Sequence, residues 1–134
     1  MIEMTIFNNL FDNKTDKQMT FSDFNQFENL LYKMSELPRE GKQDSHLISP
    51  ACYKDGTNRR LNDNVSHWSA WAAMDVDDHE FSAKNLKDEL IESYPHYSFV
   101  CYSTASSTND HPKFRMVFPL SSSVKSVRIR HFWY

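Results

Sequence analysis

The sequence predicts an α+β domain: a two-layer sandwich in which helices pack on a mostly antiparallel sheet. Three observations carry this. The element order reads helix, strand, strand, helix, strand, strand, helix, an arrangement that segregates helices to one face of a sheet. The length of 134 residues suits a single domain, and a chain of that size buries roughly two-thirds of its unfolded surface. The composition, 40% hydrophobic and 25% charged, is that of a soluble globular protein.

The elements follow from periodicity. Residues 1–19 are polar with a small cluster of Ile6, Phe7, Leu10 and Phe11, and read as an irregular lead-in or a short strand. Phe24, Phe27, Leu30, Leu31, Met34 and Leu37 then recur at three- and four-residue spacing, forming one helical stripe. Thr20 with Asp23 offers an N-terminal cap, and Pro38 marks the end. After a polar turn from Arg39 to Asp44, the apolar run His46 to Tyr53 reads as a strand. Lys54 to Asn64, rich in Lys, Asp, Asn, Arg and one Gly, reads as a loop.

Val65 to Val76 is the strongest strand signal, rich in Trp, Val and Ala and closing on the acids Asp75, Asp77 and Asp78. Ser82 is placed to cap a helix from Ala83 to Tyr94, with Leu86, Leu90 and Ile91 inward and Pro95 beyond. Tyr97 to Ser103 and Lys113 to Leu120 read as two more strands, and Val124 to Tyr134 as the start of a final helix. That helix breaks off at four aromatic-rich residues, His131 to Tyr134, which suggests a fragment of a longer protein.

Several function classes are excluded. With two glycines in the chain, a glycine-rich phosphate loop cannot be built, and there is no nucleophile elbow. No apolar run reaches the roughly 18–20 residues of a membrane span, and the acidic, amide-rich N-terminus does not resemble a signal peptide. These features point to an intracellular protein. Cys52 and Cys101 have no CxxC partner and read as two buried, reduced thiols. The six histidines lack metal-ligand spacing.

Charge is distributed unevenly. The net charge is −3, yet from His111 onward Lys113, Arg115, Lys125, Arg128 and Arg130 face no acid, whereas the other 110 residues carry ten bases against eighteen acids. A basic end of this kind suits phosphate.

Two constellations can carry chemistry. Asp75 and Asp77, two apart on a strand, point to the same side. Paired carboxylates on a stiff element suit Mg²⁺, which is commonly held by one or two carboxylates plus substrate phosphates. Asp78 falls on the other face or in the turn. The second constellation is Ser103, Thr104, Ser106, Ser107 and Thr108, followed by His111 and the strand cations Lys113 and Arg115. Loop hydroxyls and amides beside two same-face cations suit phosphate oxygens. Trp68, Trp71, Phe99 and Tyr102 are aromatic enough to stack bases, but on core strands they read as packing.

Taken together, AAMDVDD, the intervening helix and YSFVCYSTASSTNDHPKFRMVFPL resemble the primase-polymerase domain of phage and plasmid replication proteins, in the archaeo-eukaryotic primase superfamily. The resemblance runs from about Asn58 to Tyr134 and rests on the order, spacing and flanking strands of the motifs together. It implies a two-layer catalytic module performing template-directed nucleotidyl transfer. Asp75 and Asp77 would be the metal-binding and catalytic acids, with Mg²⁺ or Mn²⁺ as cofactor. Ser103, Thr104, Ser106, Ser107, Lys113 and Arg115 would bind the incoming nucleotide.

The implied partners are nucleoside triphosphates, a DNA template and a helicase domain or subunit, in the cytoplasm (that of the host if phage-encoded), with no membrane role. The chain departs from the family pattern twice: Ser107 stands where a histidine is common, and the third metal-binding aspartate would be expected beyond Tyr134. Residues 1–134 would then be the N-terminal part of a longer replication protein, in doubt as a catalyst by itself. Two other readings use the same residues: a non-catalytic DNA- or nucleotide-binding module of a replication initiator, and a metal-dependent nuclease.

Overall fold

Pro50 and the Ser69-Ala70 step shape the architecture, because each divides an apolar run that is continuous in the sequence. The computed structural model describes residues 1–38 and 41–133, with side chains from residue 130 onward outside the described set. Strand β1 spans Ile2–Phe7, β2 Gln18–Phe21, helix α1 Phe24–Ser35, β3 Leu47–Ser49, β4 Ala51–Tyr53, β5 Val65–Trp68 and β6 Trp71–Val76. Helix α2 covers Leu86–Ser93, followed by β7 at Val100–Ser103, β8 at Phe114–Pro119 and β9 at Val124–Lys125. The fold is mixed α+β, as the sequence predicts, with its strands in three small antiparallel sheets. These belong to two compact units, Met1–Trp71 with Leu120–Tyr134, and Ala72–Pro119.

In the first unit the sheets are ordered β2-β1-β3 and β4-β5-β9. Of the two alternatives for the N-terminal segment, the strand is the one formed: β1 pairs antiparallel with β2 and β3. Its Met4 and Phe7 are fully buried, and Thr5 is buried with its hydroxyl donating to Ala51 O at 2.7 Å. Pro50 has no N–H to give a ladder, and the chain changes sheets there, β3 pairing with β1 and β4 with β5. At the second break, Ser69 is buried, accepts the Glu3 N–H on its Oγ at 2.7 Å and donates its own N–H to Pro50 O at 2.8 Å. Gly56, at φ 78°, takes the left-handed conformation in the turn after β4.

Helix α1 is capped by Asp23, whose carboxylate accepts the Gln26 N–H at 2.9 Å, while the Gln26 side chain accepts the Ser22 N–H at 3.2 Å. This is reciprocal capping. Thr20, the other cap candidate, is instead paired with Glu3 in the β1–β2 ladder. Phe27 is the buried anchor, its ring 5.5 Å from Phe21 and 4.9 Å from Trp71. Trp71 is fully buried, and its indole N–H donates to Glu3 O at 2.8 Å, the partner a buried indole requires.

In the second unit the sheet order is β6-β8-β7. Strand β8 pairs antiparallel with β7, matching Val100 to Val117, Cys101 to Met116, Tyr102 to Arg115 and Ser103 to Phe114. The core is Leu90, Phe114 and Met116, with Val76, Phe81, Leu86, Phe99 and Cys101 packed against it.

Three further sequence expectations change. Helix α2 begins at Leu86, and the Ser82 N–H is taken by the Glu89 carboxylate at 2.9 Å, so Ser82 is not its cap. Ile91 is 51% exposed rather than inward; the eight-residue helix is too short to bury a broad stripe. The last segment is β9 followed by a 3₁₀ helix over Ser126–Trp133, not an α-helix. The aromatic side chains expected after Arg130 lie outside the described residues, as do Arg39 and Glu40 of the polar turn.

Candidate functional site

Strand alternation builds the site. On β8, Phe114 and Met116 point into the core, which turns Arg115 to the opposite face of the sheet. On β6, Val76 packs on the same core and Asp75 takes the other face. The two strands run antiparallel, since the Leu120 N–H donates to Ala70 O at one end and His111 Nε2 lies 3.0 Å from Asp77 O at the other. Asp75 and Arg115 thus meet on the open face.

The contact is bidentate: Arg115 Nε donates to Asp75 Oδ1 at 2.5 Å, and its second guanidinium nitrogen donates to Oδ2 at 3.0 Å. The guanidinium is the more sheltered partner, 27% exposed against 49% for the carboxylate side chain. The hydrogen bonds it donates to Asp75 hold the Arg115 guanidinium more firmly protonated than usual, against the effect of its partial burial, with Tyr102 beside it adding to the attraction. Tyr102 is also the β7 register partner of Arg115, so Asp75, Arg115 and Tyr102 form a row across three strands.

The loop between β7 and β8 surrounds Lys113. The Thr104 N–H donates to Lys113 O at 2.9 Å, and Ser107 Oγ accepts the Lys113 N–H at 2.9 Å. Thr104 Oγ1 also donates to Lys113 O, at 3.3 Å. Two of the predicted nucleotide-binding hydroxyls are therefore engaged with backbone: Thr104 gives its proton to it, while Ser107, an acceptor there, keeps its own O–H to donate. The Ser103 and Ser106 hydroxyls, the Lys113 amine and the Asp77 carboxylate make no hydrogen bond among the described residues.

His79 and His111 tie this end together. His79 Nδ1 accepts the Phe81 N–H at 3.1 Å, which leaves Nε2 to donate to Pro112 O at 2.6 Å and fixes the tautomer. The His111 ring stacks on His79, with centroids 5.7 Å apart and planes within 6°. This stack joins the segment after β6 to the segment before β8.

The sequence-predicted residues therefore gather as follows. Asp75 and Arg115 touch; Asp77, one residue past the end of β6, contacts His111 through its backbone O, and its carboxylate is not tied to that pair among the described residues. Lys113 and the serine loop share the adjoining strand end. Tyr102, read from sequence as packing, belongs to the row as well; its place opposite Arg115 was legible only once the β7–β8 register was known. Of the basic end, Lys113 and Arg115 lie in the second unit, while Lys125 and Arg128 lie in the first, where they line an open groove with Ser121, Ser122 and Ser123. The Arg130 side chain lies outside the described residues.

The donor set of Asp75 and Asp77, hard oxygens beside cationic side chains, fits Mg²⁺ or Mn²⁺ shared with phosphate. Both Asp75 oxygens are turned to Arg115 here, and among the described residues neither acid belongs to a group of three or more converging His, Cys, Asp or Glu ligands. No helix among the described residues is long and apolar enough to cross a membrane. No family model, curated protein or solved structure matches the chain.

Proposed function

We propose that this chain is a primase-polymerase-like module of a DNA replication protein, handling nucleoside triphosphates on a DNA template. The observation that carries the reading is the Asp75–Arg115 pair, an acid and a cation on neighbouring strands of one sheet face, with Lys113 and the serine loop at the same strand end. Such a face offers cations to the phosphates of a nucleotide and a carboxylate edge to the divalent ion that accompanies them.

In this reading Arg115 exchanges the Asp75 carboxylate for a phosphate oxygen, a swap that keeps its planar fork fully hydrogen-bonded. Lys113 supplies a second cation two residues along the strand, and Ser103 and Ser106 offer hydroxyls to the same phosphates. Asp75, released, joins Asp77 in holding the divalent ion. When bound, that ion would offset the charge developing as a hydroxyl attacks the α-phosphate and pyrophosphate leaves. In the first unit, the groove beside Lys125 and Arg128 offers a basic surface for template phosphates.

A second reading, a nucleotide- or DNA-binding module without catalysis, is favoured by the engagement of both Asp75 oxygens with Arg115. Two variants separate the readings. Asp75→Asn keeps the side-chain shape, removes a carboxylate and frees Arg115. Nucleotidyl transfer requires Mn²⁺-dependent binding of a labelled nucleoside triphosphate that weakens at least tenfold in this variant and again in Asp77→Asn. Unchanged or tighter nucleotide binding in both variants would overturn the metal-dependent reading and leave the binding module. Degradation of labelled single-stranded DNA with Mn²⁺ alone would instead mark a nuclease.

A further inference from the structure

We propose that Glu3, Cys52 and His67 form a binding site for a zinc-class divalent transition ion in the first unit, independent of the Asp75 reading. The three residues come from three strands, β1, β4 and β5, and a ligand atom of each lies within 4.8 Å of the others. Cys52 and His67 are register partners across the β4–β5 ladder, so the sheet itself sets the thiol beside the imidazole. Glu3 is brought to them by buried ties: its N–H donates to Ser69 Oγ at 2.7 Å, and its C=O accepts the Trp71 indole N–H at 2.8 Å.

The hydrogen bonding of His67 points to a cation. Ser66 Oγ lies 3.1 Å from Cys52 O and 2.9 Å from His67 Nδ1. A carbonyl can only accept, so the single hydroxyl proton of Ser66 goes to Cys52 O, and Ser66 must accept at His67 Nδ1–H. A neutral ring protonated at Nδ1 then directs the lone pair of Nε2 at Glu3 Oε2, 2.8 Å away. Two acceptors that close need a positive charge between them, a proton or a metal ion. The Ser66 contact is the outer-shell bond that ordinarily orients a metal-ligating imidazole.

The ligand set selects among metals. One thiolate, one imidazole and one carboxylate suit zinc and its neighbours, not Mg²⁺ or Ca²⁺. Ligands of a tetrahedral zinc lie roughly 3.3–3.6 Å apart for the usual 2.0–2.3 Å bonds, so seating an ion opens the Glu3–His67 contact by about half an ångström. Cys52 is 3% exposed, whereas the Glu3 and His67 side chains are each 33% exposed. The open side leaves the fourth position to water or an incoming ligand, as in zinc sites with three protein ligands.

Titration of the full chain with Co²⁺ tests this, because a thiolate ligand adds a charge-transfer band in the near ultraviolet. The expected result is one Co²⁺ bound per chain with that band, displaced by Zn²⁺, retained in Cys101→Ser and lost in Cys52→Ser. His67→Gln should weaken binding at least tenfold while keeping a cooperative thermal melt. Zn²⁺ should raise the melting temperature of the wild type and not that of Cys52→Ser. Absence of stoichiometric Co²⁺ uptake by the wild-type chain, or a band that survives Cys52→Ser, would overturn the site and assign the Glu3–His67 contact to a proton.

Discussion

Replacing Asp75 by asparagine preserves the side chain's outline, and replacing Arg115 by glutamine removes its charge, so the two variants and their combination isolate the charged interaction between β6 and β8. Its magnitude follows from exposure. Unit charges about 4 Å apart attract by roughly 1 kcal/mol in water and about 4 kcal/mol at an effective dielectric near 20. With the Asp75 side chain 49% exposed and Arg115 27% exposed, the watery limit weighs more. Exposed pairs measure about 0.2–1 kcal/mol, and a bidentate fork belongs at the top of that range. We expect a coupling of about 1 kcal/mol and a fall of roughly 3–6 °C in the melting temperature for Asp75→Asn alone.

The assay is a double-mutant cycle by urea unfolding, run at low and at high salt. Coupling should shrink as salt screens the exposed carboxylate. Single-variant costs that add to within about 0.3 kcal/mol would show that the pair does not hold β6 to β8, and that Arg115 has no bound carboxylate to exchange for phosphate.

The other tests concern the frame around the site. Phe114 is 2% exposed in the second-unit core, so Phe114→Ala should cost about 3–5 kcal/mol by urea unfolding; a loss below about 1 kcal/mol would mean that this core is not packed as described. His79→Leu strands the Phe81 N–H and Pro112 C=O, and should cost about 2 kcal/mol, with amide exchange rising at Phe81; unchanged exchange there would refute the bridge. Burial pushes the Cys52 thiol up to about 12 and the Cys101 thiol up to about 11. At pH 8 that lowers the thiolate fraction of Cys101 roughly a hundredfold, so both thiols of the metal-free protein should react slowly with Ellman's reagent and rapidly in urea. Because the folded state favours the neutral thiols, their contribution to stability is complete below pH 9 and is lost as pH rises through 11 to 12. Fast labelling of the folded chain at pH 8 would contradict the burial.

The sequence alone determined what local rules govern. Helical spacing from Phe24 to Met34 placed α1, and alternation from Phe114 to Phe118 placed β8 with Arg115 facing away from its apolar neighbours. These features depend on residues adjacent in the chain. Tertiary structure decided the rest, because it depends on partners far along it. Whether Val65 to Val76 is one strand or two rests on Ser69 meeting Glu3 and Pro50. The match of Asp75 to Arg115 spans 40 residues, and its cause is the strand order β6-β8-β7. Glu3, Cys52 and His67 have no spacing signal at all, since only the joining of three strands in space, through hydrogen bonds no linear pattern encodes, sets their ligand atoms together.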